Sequence, residues 1–143
     1  MSSQSHLHAD PLPWLLESAD PGPRYLALRD LRRLPADDPE LLAARTAAHR
    51  SGPIATVLDA MDPAGFWEKP GPGYGPKYRS TVWAMTLLAQ LGARAEADER
   101  VAAACRYVLD HALTPLGQFS YNGRPAGTFD CLQGNLCWAL TQL

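Results

Sequence analysis

Six side chains in two short loops carry the most usable chemistry of this chain: Tyr74, Lys77, Tyr78 and Arg79 in one, Tyr121 and Arg124 in the other. Lys77 and Arg79 offer positive charge to an anionic group such as a diphosphate, and the tyrosines offer amphipathic rings that cover an apolar surface while keeping a hydroxyl in water. Ordinary surface salt bridges account for the same cations. Binding residues collect on loops held by a rigid scaffold, which favours these positions as a cavity rim. A second set is thinner. Asp130 and Cys131 are adjacent and His111 stands on a separate helix, which makes the three weak candidates for a metal site. Cys131 and Cys137 are six apart, which is not a ligand spacing on one helix face, so small buried cysteines are the simpler reading. Asp37-Asp38-Pro39-Glu40 is the densest acidic string, and capping of a helix start explains it. His6 and His8 lie in a polar N-terminal stretch, while His49 and His111 have no matched partner in the sequence.

The elements that position the two loops occur twice. Residues 65–91 run from Gly65-Phe66-Trp67 through a Pro/Gly/Tyr loop into the apolar stretch Thr81 to Leu91. Residues 117–143 run from Gly117-Gln118-Phe119 through a Tyr/Asn/Gly/Pro loop into Asn135 to Leu143. Trp83-Ala84-Met85-Thr86 falls on Trp138-Ala139-Leu140-Thr141 at an offset of 55, and Gly65 falls on Gly117 at 52. A fainter copy, Gly22-Pro23-Arg24-Tyr25, precedes Gly75-Pro76-Lys77-Tyr78 by 53. Periods near fifty residues mark repeats that bury their apolar faces against their neighbours. Equivalent loops then lie at the same end of the helical layer, and Trp83 and Trp138 are expected to be buried between helices.

Helical periodicity runs through the whole chain. Pro11 to Glu17 reads as a short helix with Asp10 before it, Asp20-Pro21-Gly22-Pro23 as a break, and Arg24 to Leu34 as a helix with Tyr25, Leu28, Leu31 and Leu34 on one face. Asp38 followed by Pro39 opens a helix to His49, and Ile54 to Met61 follows. Ser80 or Thr81 caps Val82 to Leu91, which stops at Gly92. Asp98-Glu99 opens a helix to Ala112 with Val101, Cys105, Val108 and Ala112 on one face, and Leu132 to Leu143 closes the chain. No segment alternates with period two, so the fold class is all-α, with helices in hairpin pairs of about fifty residues. Leu136 to Leu143 is still apolar and periodic at the last residue, with no glycine or basic last turn. That pattern is expected of a piece of a longer reading frame, or of a helix covered by another chain through self-association.

Composition narrows the class. The 143 residues are 46% apolar and 20% charged, as in globular domains, with a net charge of −2. The 13 Lys and Arg are scattered; Arg29, Arg32 and Arg33 form the solvated face of a helix rather than the basic stripe that nucleic acid needs. No apolar run approaches the ~18 residues of a membrane span, and Met1 to His8 lacks the apolar core of a signal peptide. Three cysteines make no disulfide framework and point to a reducing cytoplasm.

The doubled pattern of Gly-aromatic, loop and Trp-bearing helix resembles the terpenoid cyclase/prenyltransferase α/α-toroid superfamily. Lys69-Pro70-Gly71-Pro72-Gly73-Tyr74-Gly75-Pro76-Lys77-Tyr78-Arg79-Ser80-Thr81-Val82-Trp83 and Cys131-Leu132-Gln133-Gly134-Asn135-Leu136 are similar to strings of bacterial squalene-cyclase-like proteins of unassigned reaction. The resemblance implies two concentric rings of helices around a cavity for an apolar or isoprenoid ligand. Residues 10–143 would be a partial, N-terminal arc, and 1–9 a disordered tail. It carries over no catalytic residue: neither the Asp-x-Asp-Asp acid of class II cyclases nor the Asp-Asp-x-x-Asp magnesium site of class I occurs here. Asp130 and Cys131 are adjacent where the transferases space them by one, and Leu132 follows Cys131 where lanthionine-synthetase-like toroids have histidine. An enzyme with its acid elsewhere and a non-catalytic module binding peptide, protein or lipid both remain open, with no cofactor expected. Tag-free protein is expected to carry no stoichiometric zinc; about one zinc per chain by elemental analysis, lost in Cys131→Ser, would revive a thiolate-transferase role.

Overall fold

A computed structural model describes residues 9–17 and 19–143 of the chain. His6, His8 and nearly all of the expected tail lie outside the described residues. Among the described residues there are seven α-helices and no strand: α1 (Leu12–Leu15), α2 (Pro21–Leu26), α3 (Pro39–Arg50), α4 (Pro53–Asp59), α5 (Thr81–Gln90), α6 (Glu99–Ala112) and α7 (Asp130–Gln142). They group into two compact units, Met1–Gly52 and Pro53–Leu143. No helix among them is long and apolar enough to cross a membrane.

In the first unit the expected break at Asp20 to Pro23 is instead a helix start. Pro21 and Pro23 sit in the first turn of α2, where a missing N–H removes no hydrogen bond. The helix then widens into a π-turn over Ala27–Leu31, closed by Arg32 N–H on the Ala27 carbonyl at 2.9 Å. The extra residue per turn rotates the end of the helix off the buried face. Tyr25 and Leu28 are therefore buried as the three-residue period requires, but Leu31 is 59% exposed. α2 packs on α3, whose inward residues are Leu41, Ala44, Ala48 and His49. Asp38 caps α3 by accepting from the Glu40 N–H at 2.8 Å, with Pro39 next, as the sequence indicates. His49 donates from Nδ1 to the Arg45 carbonyl at 2.8 Å, which explains this histidine as a satisfied buried group. Arg24 ties the unit together by bonding the Leu16 carbonyl and Glu40.

In the second unit α5 is the central element. It carries no charged residue, buries Thr81, Val82, Ala84, Met85, Leu88 and Ala89, and packs against α4, α6 and α7. It ends where expected: Gly92 N–H bonds the Ala89 carbonyl and Ala93 N–H the Leu88 carbonyl, a Schellman closure. α6 buries Val101, Ala104, Tyr107, Val108 and Ala112, leaving Cys105 half-buried. Asp98 caps it by accepting from Arg100 N–H at 2.9 Å. α7 buries Leu132, Leu136 and Ala139. Its last carbonyls are capped from the α5–α6 loop, by Arg94 on the Gln142 carbonyl (2.6 Å) and Ala95 N–H on the Leu143 main-chain oxygen (2.7 Å). The missing local cap is thus supplied by tertiary structure.

Two expectations are corrected here. Trp83 is half-buried and Trp138 is 43% exposed, so the 55-residue register does not place these rings alike. Trp83 is in the first turn of α5, whereas Trp138 lies two turns into α7 on the face opposite Leu132, Leu136 and Ala139. Cys131 and Cys137 are both exposed rather than buried. The buried tryptophan is Trp67, 4% exposed, whose indole N–H donates to the Val57 carbonyl at 2.8 Å. Trp67→Ala is expected to cost about 3–5 kcal/mol in urea unfolding, and Trp138→Ala about 1 kcal/mol or less. Equal losses would show that the two rings pack alike after all.

Candidate functional site

The loop before α5 is shaped by what the helix start leaves unsatisfied. Ser80 and Thr81 are both 0% exposed, so their hydroxyls and the first N–H groups of the helix need protein partners. Ser80 occupies the N-cap position without a side-chain bond to the helix; its hydroxyl donates to the Pro76 carbonyl at 2.9 Å. Thr81 Oγ1 accepts from the Trp67 N–H at 3.1 Å, Val82 N–H bonds the Gly73 carbonyl at 3.0 Å, and the Trp83 indole N–H bonds the Tyr74 carbonyl at 2.9 Å. Tyr107 on α6 accepts the Gly71 N–H at 2.7 Å. Gly73 has φ +73° and approaches Thr81 so closely that a Cβ would lie 2.6 Å from the threonine Cβ.

The second loop is held by amides. Gln133 on α7 clamps Phe119 from both sides, accepting its N–H at 2.8 Å and donating to its carbonyl at 2.6 Å. Asn122 Oδ1 accepts from the Arg124 N–H at 3.0 Å, and Tyr121 N–H bonds the Gly127 carbonyl at 3.0 Å. Gln133 did not stand out in the sequence as a structural clamp, because its partner Phe119 lies 14 residues away; the bond of Asn122 to the Arg124 N–H is local, an ordinary Asx turn.

These supports bring the two loops together. The Tyr74 ring lies 6.1 Å from Tyr121, 5.5 Å from Phe129 and 5.4 Å from Trp83, Tyr121 is 6.0 Å from Phe129, and Tyr78 is 4.9 Å from Trp83. Five rings therefore run in contact from exposed Tyr121 to exposed Tyr78. Lys77 finishes the row, with Nζ 5.2 Å from the Tyr78 centroid and 5.7 Å from that of Trp83. Of the residues singled out in the sequence, Tyr74, Lys77, Tyr78 and Tyr121 share this surface. Arg79 is turned to Glu68 in an ion pair at 2.7 Å, and Arg124 enters the loop through its backbone. Phe129 and Trp83 join the row without having been singled out as binding residues. Phe129 gave only a weak signal, a lone aromatic in a loop.

Asp130, Cys131 and His111 do not assemble. His111 stacks on Tyr107 at 4.0 Å and its Nδ1 bonds the Tyr107 carbonyl at 2.9 Å. No three His, Cys, Asp or Glu side chains among the described residues lie close enough to share a metal ion. Burial pushes the Cys105 thiol above its ordinary range, which keeps it protonated at neutral pH. A groove of about 610 Å³ is lined by Leu58, Asp59, Glu99, Arg100 and Ala103 among others, and its central cation is internally neutralised. Arg100 bonds Asp98 and Asp59, both at 2.8 Å, and these bonds hold its guanidinium further into the protonated form than usual.

Compared with family models, with curated proteins and with solved structures, the chain matches none.

Gly73→Ala and Gly117→Ala separate backbone strain from close approach, because Gly117 has nearly the same φ, +75°, with nothing within 4 Å of a Cβ. Both are expected to lose about 1 kcal/mol to the left-handed backbone. Gly73→Ala should lose about 1–3 kcal/mol more by displacing Thr81. Equal losses in urea unfolding would show that Thr81 moves freely and that the loop is not fixed on α5.

Proposed function

We propose that the chain is a squalene-cyclase/prenyltransferase-like helical-repeat module whose aromatic rim receives an apolar or isoprenoid ligand with an anionic head. The observation that carries this is the meeting of two loops about fifty residues apart through Tyr74 and Tyr121, with Lys77 at the end of the ring row. The repeat is supported by two matched hydrogen bonds. Trp67 N–H to Thr81 and Phe119 N–H to Gln133 each span 14 residues, and both ends differ by 52. This agrees with the register of Gly65 over Gly117, and α5 and α7, which come after the two loops, pack directly on each other. The family reading rests on the sequence strings, and the geometry supports the repeat alone.

The ring row suits an apolar chain because aromatic faces exclude water along a continuous path. Lys77 suits the head because Arg79 is already paired with Glu68. Binding is what these residues accomplish by themselves. A cyclisation would draw its acid from outside this constellation, since no Asp-x-Asp-Asp string is present. Farnesyl phosphate is expected to bind at least about tenfold tighter than ethyl phosphate, since the chain adds buried apolar area. Lys77→Ala should weaken both by about three- to fivefold, as for an exposed ion pair. Tyr121→Ala should weaken only the farnesyl compound. Equal affinity for the two phosphates in titration calorimetry would make the rim ordinary surface.

A further inference from the structure

Lys77 occupies a corner that attracts an ammonium from two sides. Its Nζ is 5.2 Å from the Tyr78 ring and 5.7 Å from the Trp83 ring, and the two rings stand 4.9 Å apart at 55°. A cation within about 6 Å of an aromatic face is held by the ring quadrupole, most strongly by tryptophan. The Trp83 wall is fixed from behind by its indole bond to the Tyr74 carbonyl at 2.9 Å. The Tyr78 wall is aimed at it by a backbone turn of φ +67°, which is disfavoured for a bulky residue. Such strain concentrates where a side chain must be held in one direction for use. Among the described residues Lys77 has no ion pair, and Glu68, the neighbouring acid, is taken by Arg79.

We infer that this corner is a head-group site for a zwitterion carrying a phosphate beside a quaternary ammonium, of the phosphocholine type. The quaternary ammonium replaces Lys77 Nζ on Tyr78 and Trp83, and the displaced Lys77 pairs with the phosphate. Exchange favours the incoming cation because methyl groups spread its charge and pack on the ring faces, whereas a lysine ammonium is compact and strongly hydrated. A lone cation is disfavoured, because the displaced Lys77 keeps its charge within reach of the corner. A lone anion leaves the rings to Lys77 and uses half the site. The inference rests on the rim being the place where the polar end of an amphiphile docks, and it names the class of that end.

The full chain is titrated with phosphocholine, tetramethylammonium and inorganic phosphate by calorimetry. Phosphocholine is expected to bind tighter than either half. Tyr78→Gly, unstrained at this φ and at a residue 73% exposed, should keep the far-ultraviolet circular dichroism of the parent. It should weaken phosphocholine about tenfold and leave inorganic phosphate unchanged. Lys77→Met should act in opposite directions, weakening phosphocholine and strengthening tetramethylammonium. Dodecylphosphocholine below its micelle concentration distinguishes the source: much tighter binding than phosphocholine indicates a lipid, equal binding a free small molecule. Phosphocholine no tighter than inorganic phosphate, or Lys77→Met weakening tetramethylammonium, would overturn the head-group assignment. Farnesyl phosphate binding retained in that case would leave the rim's affinity for amphiphiles intact.

Discussion

The buried start of α5 is the constraint on which the rest of the second unit depends. A helix that packs on α4, α6 and α7 cannot leave its first turn to water, yet that turn carries two hydroxyls and unpaired N–H groups. An unsatisfied polar group in such a place costs about 1–3 kcal/mol, so the preceding loop must fold over it. Trp67, Gly73, Tyr74 and Pro76 supply the partners, and no buried side-chain polar atom among the described residues is left without one. The proline and glycine content of that loop therefore serves a fixed geometry. Positive φ values and close approach let its carbonyls and amides reach the helix end.

The ring row is a consequence of this fit. Tyr74 is positioned by the same main-chain carbonyl that receives the Trp83 indole, so satisfying α5 also sets the ring that meets Tyr121. On the other side Gln133 holds Phe119 as a neighbouring strand would, and the turn of Asn122 presents Tyr121. Aromatic contacts of this kind add about 0.5–1.5 kcal/mol each beyond their buried area. They stabilise the loops and at the same time leave an exposed aromatic surface, which is the property a rim for an apolar ligand needs.

Charge is distributed to the same end. Arg24, Arg29, Arg79 and Arg100 are each matched to a carboxylate. Exposed pairs of this kind contribute about 0–1 kcal/mol to stability, but they remove those cations from competition for an anion. Asp30, held below its usual range chiefly by its hydrogen bond from Arg29, shows the effect in the first unit. Lys77 differs in that its charge rests on rings, a weaker hold that an incoming group can replace.

By itself the sequence determined the all-α class and most helix bounds, because a 3.6-residue apolar period and its caps are local. Asp38, Asp98 and Gly92 sit at helix ends as their types require. It also marked Tyr74, Lys77, Tyr78, Arg79, Tyr121 and Arg124 as polar or amphipathic residues of two matched loops, without distinguishing the ring contacts of the first three and Tyr121 from the ion pair of Arg79. Tertiary structure decided the rest. The π-turn that exposes Leu31, the burial of Trp67 rather than Trp138, and the capping of α7 by Arg94 depend on partners distant in sequence. Whether a cation is free or paired is equally non-local, as Arg79 with Glu68 shows. Local pattern fixes which segments coil. Only packing fixes which face of each coil is covered, and so which side chains stay available for chemistry.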